Sequence, residues 1–213
     1  YLRRLDNVRL SGNPTSAKLG TISREDGARH FNLVPSTKTL LVFGGSLGAT
    51  SINNEIERIL PDLLSLGVQL IWQTGRIDFE RINSSLEQKL DEASKQRVRI
   101  VKFIEHMEFA YAASDLAACR AGASTLAELT VVGLPSVLVP YPFAAADHQT
   151  ENARALVEQG ASVMIKDSVL QEQLLSTIRE LVADDERLKM MSARAKALGK
   201  PEAAAMIAGA VLA

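Results

Sequence analysis

The chain alternates short, unbroken apolar runs with longer runs in which apolar positions recur every third or fourth residue. Thr39-Leu40-Leu41-Val42-Phe43, closed by Gly44-Gly45, predicts a buried strand. Ser51–Leu66 carries Ile52, Ile56, Ile59, Leu60 and Leu63 at helical spacing. Val68–Gln73 predicts a second strand, Ile77–Ala93 a surface helix polar on most faces, and Val98–Phe103 a third strand. The pattern then repeats. A short helix is expected over Phe109–Ala113, a strand over Asp115–Cys119, and a helix over Ser124–Val132 stopped by Gly133. A strand follows over Pro135–Pro140, a helix over His148–Gln159 and a strand over Ala161–Lys166. Leu170, Leu174, Ile178, Leu181 and Val182 mark one face of a helix, another helix is expected over Asp185–Leu198, and Ala203–Ala213 is an alanine-rich tail. Strands alternating with helices predict an α/β fold with a parallel sheet covered on both faces. Such sheets bind ligands at the carboxyl ends of their strands. The loops after Phe43, Phe103, Cys119 and Pro140 are therefore the places to look.

Composition narrows the class. The 213 residues are 46% apolar, enough for one globular domain with a real core. With 24 basic and 25 acidic residues, no basic excess suggests a nucleic-acid partner. Cys119 is the single cysteine, so no internal disulfide is possible and a reducing compartment is the simplest expectation. No apolar run approaches the roughly 20 residues of a spanning helix, and no signal peptide is recognisable. The chain opens at Tyr1 rather than Met, which fits a piece of a longer protein.

Three loops could carry chemistry. Gly44-Gly45-Ser46-Leu47-Gly48-Ala49 joins a strand to a helix, where backbone N–H groups and a helix dipole can meet a phosphate. A tight turn that binds nothing has the same composition. The spacing is neither G-x-G-x-x-G nor a P-loop, since no G-K-[ST] follows. Cys119-Arg120-Ala121-Gly122-Ala123-Ser124-Thr125-Leu126-Ala127-Glu128 runs from strand to helix in the same way. Ser124 or Thr125 could cap that helix, and spare N–H groups could hold a diphosphate. Glu128 could accept from two ribose hydroxyls or simply be a capping-box acid. Arg120 could be a surface ion pair, and Cys119 reads as core rather than nucleophile. In the third loop, Pro140–Ala153, Asp147 can cap the next helix, and Asp147, His148 and Gln149 offer polar groups suited to sugar hydroxyls. His30 is expected to face solvent and His106 falls in the loop after the third strand; three histidines scattered this way do not make a metal site. No D-x-D pair occurs, so helix ends and neutral donors are left to carry phosphate charge.

Together these segments resemble the MurG family of GT-B glycosyltransferases, in its C-terminal domain. The family's G-G-S-x-G-A loop is matched by Gly44–Ala49, and its W-Q-T-G-like text by Trp72-Gln73-Thr74-Gly75. F-I-x-x-M is matched by Phe103-Ile104-Glu105-His106-Met107, followed by Tyr111 and Ala113-Ser114-Asp115-Leu116. C-R-[SA]-G-A-x-T-x-x-E is matched by Cys119–Glu128, G-x-P-x-x-x-x-P by Gly133–Pro140, and D-H-Q-x-x-N-A by Asp147–Ala153, with G-N-P upstream at Gly12-Asn13-Pro14. The matches run in order from Gly12 to Lys166. Two departures stand out. Thr15-Ser16 follows Pro14 where the family often has Val-Arg, so that arginine contact is missing or differently supplied. Gln149-Thr150 stands where the family can carry Gln-Gln.

The resemblance implies a Rossmann-like half of a two-domain enzyme that moves GlcNAc from UDP-GlcNAc to lipid I, forming lipid II of peptidoglycan with inversion. Residues 1–35 would enter from a missing N-terminal domain, 36–166 would bind UDP-GlcNAc, and 167–213 would supply closing helices. Gly45 and Ser46 would meet the diphosphate and Ile104 the uracil through its backbone. Arg120, Ser124 and Thr125 would lie at the phosphate-binding helix start, and Glu128 would hold the ribose. Asp147, His148, Gln149 and Asn152 would line the sugar pocket. No catalytic residue, metal or cofactor is expected in this half, which would bind donor without turnover. Lipid I would bind through the N-terminal domain, with peripheral association at the cytoplasmic face of the inner membrane. A domain for another UDP-sugar, or a donor-binding subunit needing a partner chain, are the alternatives.

Overall fold

A computed structural model describes residues 10–212; residues 1–9 of the expected entry segment, and Ala213 at the end of the alanine-rich tail, lie outside the described residues. Six strands form one sheet: β1 (Thr39–Phe43), β2 (Gln69–Gln73), β3 (Val98–Val101), β4 (Leu116–Cys119), β5 (Ser136–Leu138) and β6 (Ser162–Met164). Their order is β3-β2-β1-β4-β5-β6, and every neighbouring pair is parallel. The chain steps outward from β1 to β3, then returns to place β4 on the other side of β1. The carboxyl ends of β1 and β4 therefore diverge at a switch point, where a parallel sheet opens a crevice.

The helices are α1 (Arg24–His30), α2 (Thr50–Ser65), α3 (Gly75–Lys89), α4 (Glu92–Lys95), α5 (Met107–Ala113), α6 (Ala123–Val132), α7 (His148–Glu158), α8 (Leu170–Ala183), α9 (Asp185–Leu198) and α10 (Ala203–Leu212). Alternation along the strands divides the core into two layers. Leu40, Val42, Leu70 and Trp72 pack with Ile52, Ile56 and Ile59 of α2 and Leu174 and Ile178 of α8. Leu41, Phe43, Ile71 and Cys119 face the opposite layer, with Tyr111, Leu126, Leu129 and Leu156 of α5, α6 and α7. Helices thus cover both faces, which is why β1 and β2 are buried at every position.

A buried polar network fixes the start of α2 on the turn after β2. The Trp72 indole N–H donates to Asn53 Oδ1 at 3.0 Å. Asn53 Nδ2 in turn donates to the Thr74 carbonyl at 2.7 Å and to Asp78 Oδ2 at 2.9 Å. No buried side-chain polar atom among the described residues lacks a partner, so this network adds no unpaired desolvated group.

Several expectations need correction. Residues 24–30 form a helix that no apolar period announces; Ser23 caps it, accepting from the Asp26 amide at 3.1 Å. The helix expected over Ile77–Ala93 is two, because Leu90 is extended and Asp91 caps the second by accepting from the Ser94 amide at 2.8 Å. The strand expected to reach Phe103 ends at Val101, leaving Phe103 exposed, and the Pro135–Pro140 strand narrows to Ser136–Leu138. The alanine-rich tail is helical through Leu212. Among the described residues no helix is long and apolar enough to cross a membrane.

Candidate functional site

The six helices that begin after a strand, α2, α3, α5, α6, α7 and α8, all start without a side-chain cap. The capped helices α1, α4 and α9 do not directly follow a strand. The first N–H groups of a helix have no partner within it. At α2 and α6 no side chain closes those amides, so donors and positive dipole ends collect at one edge of the sheet where an anion could sit. By contrast, α7 and α8 are entered through 3-10 turns, in which the His148 N–H donates to the Ala145 carbonyl and the Leu170 N–H to the Asp167 carbonyl. The Ser124, Thr125 and Asp147 capping expectations are corrected accordingly. The residue before α6 is Gly122, with no side-chain bond, and Asp147 accepts from the Thr150 hydroxyl at 2.6 Å rather than from a helix amide. Ser124 is exposed and Thr125 half-buried at the open start of α6, beside the switch point.

The loop from β1 to α2 is shaped by backbone contact. Gly48 has φ +93°, and a Cβ there would lie 2.1 Å from the Thr74 carbonyl oxygen. Two backbones in that contact leave no room for a side chain. Gly45 and Ser46 are exposed at the tip. Gln73, buried at the end of β2, holds this loop and its neighbour together. Its Nε2 donates to the Gly45 carbonyl at 3.0 Å, and its Oε1 accepts from the Ile104 amide at 2.8 Å. The Ile104 N–H is thereby engaged, so the carbonyl is the backbone group this residue can offer. Gln73 belongs to the W-Q-T-G text, yet no role was expected for it. A polar side chain closing a fully buried strand was the available signal, because it must find partners.

Glu128 is half-buried in α6 and does not reach back to the helix start as a capping-box acid would. Its Oε2 accepts from the Tyr111 hydroxyl at 2.7 Å. Tyr111 is buried, and burial first, then the adjacent carboxylate, push its pKa well above the usual phenol value. It stays a proton donor across the physiological range. Cys119, fully buried, has its thiol pKa pushed up by desolvation, consistent with a core residue.

Arg120 is no surface ion pair; its side chain is 13% exposed. The guanidinium donates to the Val139 and Pro140 carbonyls at 3.2 and 3.1 Å, to Asp167 Oδ1, and to Ser51 Oγ at 2.8 Å. Ser51 also donates to Asp167 Oδ1 at 2.7 Å. Segments following β1, β4, β5 and β6 are pinned by one side chain. An ammonium cannot span four acceptors with a planar fork. Arg120→Lys is therefore expected to lower stability by about 1–2 kcal/mol. Urea denaturation checks this, and an unchanged midpoint would show that the knot contributes nothing to stability.

The loop after β5 is strained. Ala146 and Asp147 both sit in the left-handed region, at φ 49° and 51°. Such residues cost on the order of 1–3 kcal/mol each and persist only where surroundings impose them. Asp147 and His148 are exposed and Gln149 partly so; Gln149 Oε1 accepts from the Tyr141 amide at 3.0 Å. His148 Nδ1 lies 2.7 Å from the Ala145 carbonyl, which can only accept, so Nδ1 carries a proton and Nε2 is the ring nitrogen left for a ligand. Asn152 Nδ2 donates to the Ala121 carbonyl at 3.2 Å, tying α7 to the loop before α6.

Nine of the eleven candidate residues thus fall on loops and helix starts that follow the carboxyl ends of strands, while Glu128 and Asn152 stand further along α6 and α7. The groove of about 630 Å³ at the opposite edge, between Lys38, Asp115, Gly133 and Ser192, gathers none of them. The family model of the glycosyltransferase family 28 C-terminal domain matches residues 39–207. A protein of Chlorobium phaeobacteroides named UDP-N-acetylglucosamine--N-acetylmuramyl-(pentapeptide) pyrophosphoryl-undecaprenol N-acetylglucosamine transferase is 44% identical over 100% of this chain and 56% of its own length. One of the same name from Chlorobaculum parvum is 46% identical over 97% of this chain and 55% of its own. The crystal structure of MurG from Acinetobacter baumannii superposes with a TM-score of 0.71 at 30% identity, over 93% of this chain and 55% of that one. The chain spans about half the length of the curated relatives it matches.

Proposed function

The chain belongs to the glycosyltransferase family 28 C-terminal domain family, and from that membership we propose that it is the donor-binding half of a GT-B enzyme that transfers GlcNAc from UDP-GlcNAc to lipid I. The observation that carries this reading is that the uncapped α6 and the Gly45–Ser46 tip follow β4 and β1, the adjacent strands of the switch point, with a carboxylate on α6, Glu128, oriented by Tyr111. The diphosphate lies across the starts of α2 and α6, taking N–H groups near Gly45, Ser46, Ser124 and Thr125. Each helix end stabilises an anion by roughly 0.3–2 kcal/mol, which favours departure of UDP. Ile104 offers its carbonyl to the uracil N–H, and Glu128 accepts from the ribose hydroxyls. Asp147, His148 Nε2 and Gln149 face the sugar. Arg120 and Asn152 hold the loops that carry these groups.

Residues 1–35 lead in from the acceptor-binding half, 36–166 bind the donor, and 167–213 close the domain. The acceptor half supplies the base for the attacking hydroxyl and the contacts to lipid I, so the 213-residue chain binds donor without transferring it. A lipid-linked acceptor places the whole protein, as a peripheral protein, at the cytoplasmic face of the membrane. A second reading, a domain for another UDP-sugar, is favoured by Thr150, whose hydroxyl is tied to Asp147 where the family can place a glutamine amide. NMR mapping with UDP-GlcNAc tests the location. Amides of Gly45, Ser46, Ile104, Ser124, Thr125 and His148 are expected to shift. Shifts confined to the groove around Lys38 and Gly133 would overturn the assignment.

A further inference from the structure

Tyr111 makes one side-chain hydrogen bond among the described residues, to Glu128 Oε2. Glu128 has no cation within ion-pair distance among the described residues, and its Oε1 accepts no bond from them. A carboxylate has about four acceptor positions, so one buried hydroxyl fixes its rotation and leaves the remainder directed outward. We propose that Tyr111 is a positioning residue that makes Glu128 selective for a ribose diol over a deoxyribose. This rests on the proposed role of Glu128 as the ribose ligand. The chemistry follows from geometry: a carboxylate held still can accept from two adjacent hydroxyls at once, whereas a freely rotating one must first lose rotational freedom. Tyr111 contributes nothing to the contact with the diphosphate or the base. Its effect is therefore largest for ligands that offer both hydroxyls to the carboxylate. The rigid support is visible: Tyr111 is 3% exposed in the core layer formed by α5, α6 and β1, and its ring packs edge-on to Phe43 with centroids 6.2 Å apart.

The test is titration of the chain and of Tyr111→Phe with UDP and with 2′-deoxy-UDP. The unaltered chain is expected to prefer UDP by about tenfold or more, the value of a hydrogen bond to a charged group. In Tyr111→Phe that preference is expected to fall to about threefold or less, through weaker UDP binding, with 2′-deoxy-UDP binding changed by less than about twofold. An undiminished preference in Tyr111→Phe overturns the inference while leaving Glu128 as the ribose ligand. No preference in the unaltered chain removes the Glu128 reading itself. The buried hydroxyl proton of Tyr111 gives an independent measurement on the unaltered chain by NMR. Its resonance is expected to move more with UDP than with 2′-deoxy-UDP, and equal movement with both overturns the inference.

Discussion

Replacing Glu128 by alanine is expected to weaken UDP-GlcNAc binding by about ten- to hundredfold. A hydrogen bond to a charged group is worth about 1.5–3 kcal/mol, and each 1.4 kcal/mol is a factor of ten. The carboxylate stands in α6, held by the Tyr111 hydroxyl at 2.7 Å, with its other oxygen free for a ligand. Alanine also leaves that buried hydroxyl without its acceptor, a loss of about 1–3 kcal/mol in stability. Glu128→Gln separates the two effects. Its amide oxygen still accepts from Tyr111, so stability is retained, while the charge is lost and binding still weakens. Calorimetric titration of both variants, beside their urea midpoints, checks this. Undiminished affinity in Glu128→Gln would mean that the carboxylate charge contributes nothing to donor binding.

Gly48→Ala is expected to lower stability by about 3 kcal/mol or more, and to remove diphosphate binding with it. Two costs combine: a left-handed φ that L side chains resist, and overpacking, each on the order of 1–3 kcal/mol. The obstacle at Gly48 is the Thr74 carbonyl at 2.1 Å, which is backbone and cannot rotate away. Asn53 donates to that same carbonyl, and Gln73 holds the Gly45 carbonyl on the other side, so the loop has little freedom to yield. The N–H groups at its tip would have to move. Gly122→Ala is the control. Its φ is −69°, and a Cβ there meets only the Thr125 hydroxyl, at 3.7 Å. That variant is expected to lose about 1 kcal/mol or less, the scale of an N-cap change. Thermal or urea unfolding of the pair checks the contrast, and equal stability would show that the close approach of the two turns is easily relaxed.

How much of this was legible beforehand depended on the range of the interaction. β1 was readable because a strand buried on both faces must be a continuous apolar run, and Thr39–Phe43 is one with its boundaries intact. α9 was readable in its extent, Asp185–Leu198, and the structure shows Asp184 capping it, accepting from the Arg187 amide, with Gly199 beyond it. The helix α1 was not, because it buries only Gly27 and Ala28 and holds on through close approach to α5. A Cβ on Gly27 would lie 2.7 Å from the Phe109 carbonyl, so its pairing depends on smallness rather than on an apolar stripe. The sheet edge that carries the candidate site followed from the alternation of strands and helices. The partners of its side chains did not. Ser124, Thr125 and Asp147 fit the local pattern of caps, yet none of them caps its helix; α6 starts at Gly122 without a side-chain bond, while α7 is entered through a 3-10 turn and Asp147 is held by Thr150 instead. Arg120 meets Ser51 and Asp167, far away in sequence on both sides, and no local spacing announces a contact of that kind. Gln73 and Tyr111 stood in matched motifs without assigned roles, because what they touch is set by the order of the strands.

Calorimetric titration of the chain with UDP-GlcNAc, run beside UDP-glucose, UDP-GalNAc and NAD, tests the donor-binding claim most directly. The expected result is saturable binding of UDP-GlcNAc in preference to the other UDP-sugars, and no binding of NAD, whose fingerprint spacing the Gly44–Ala49 loop lacks. Binding of NAD without binding of any UDP compound would contradict it.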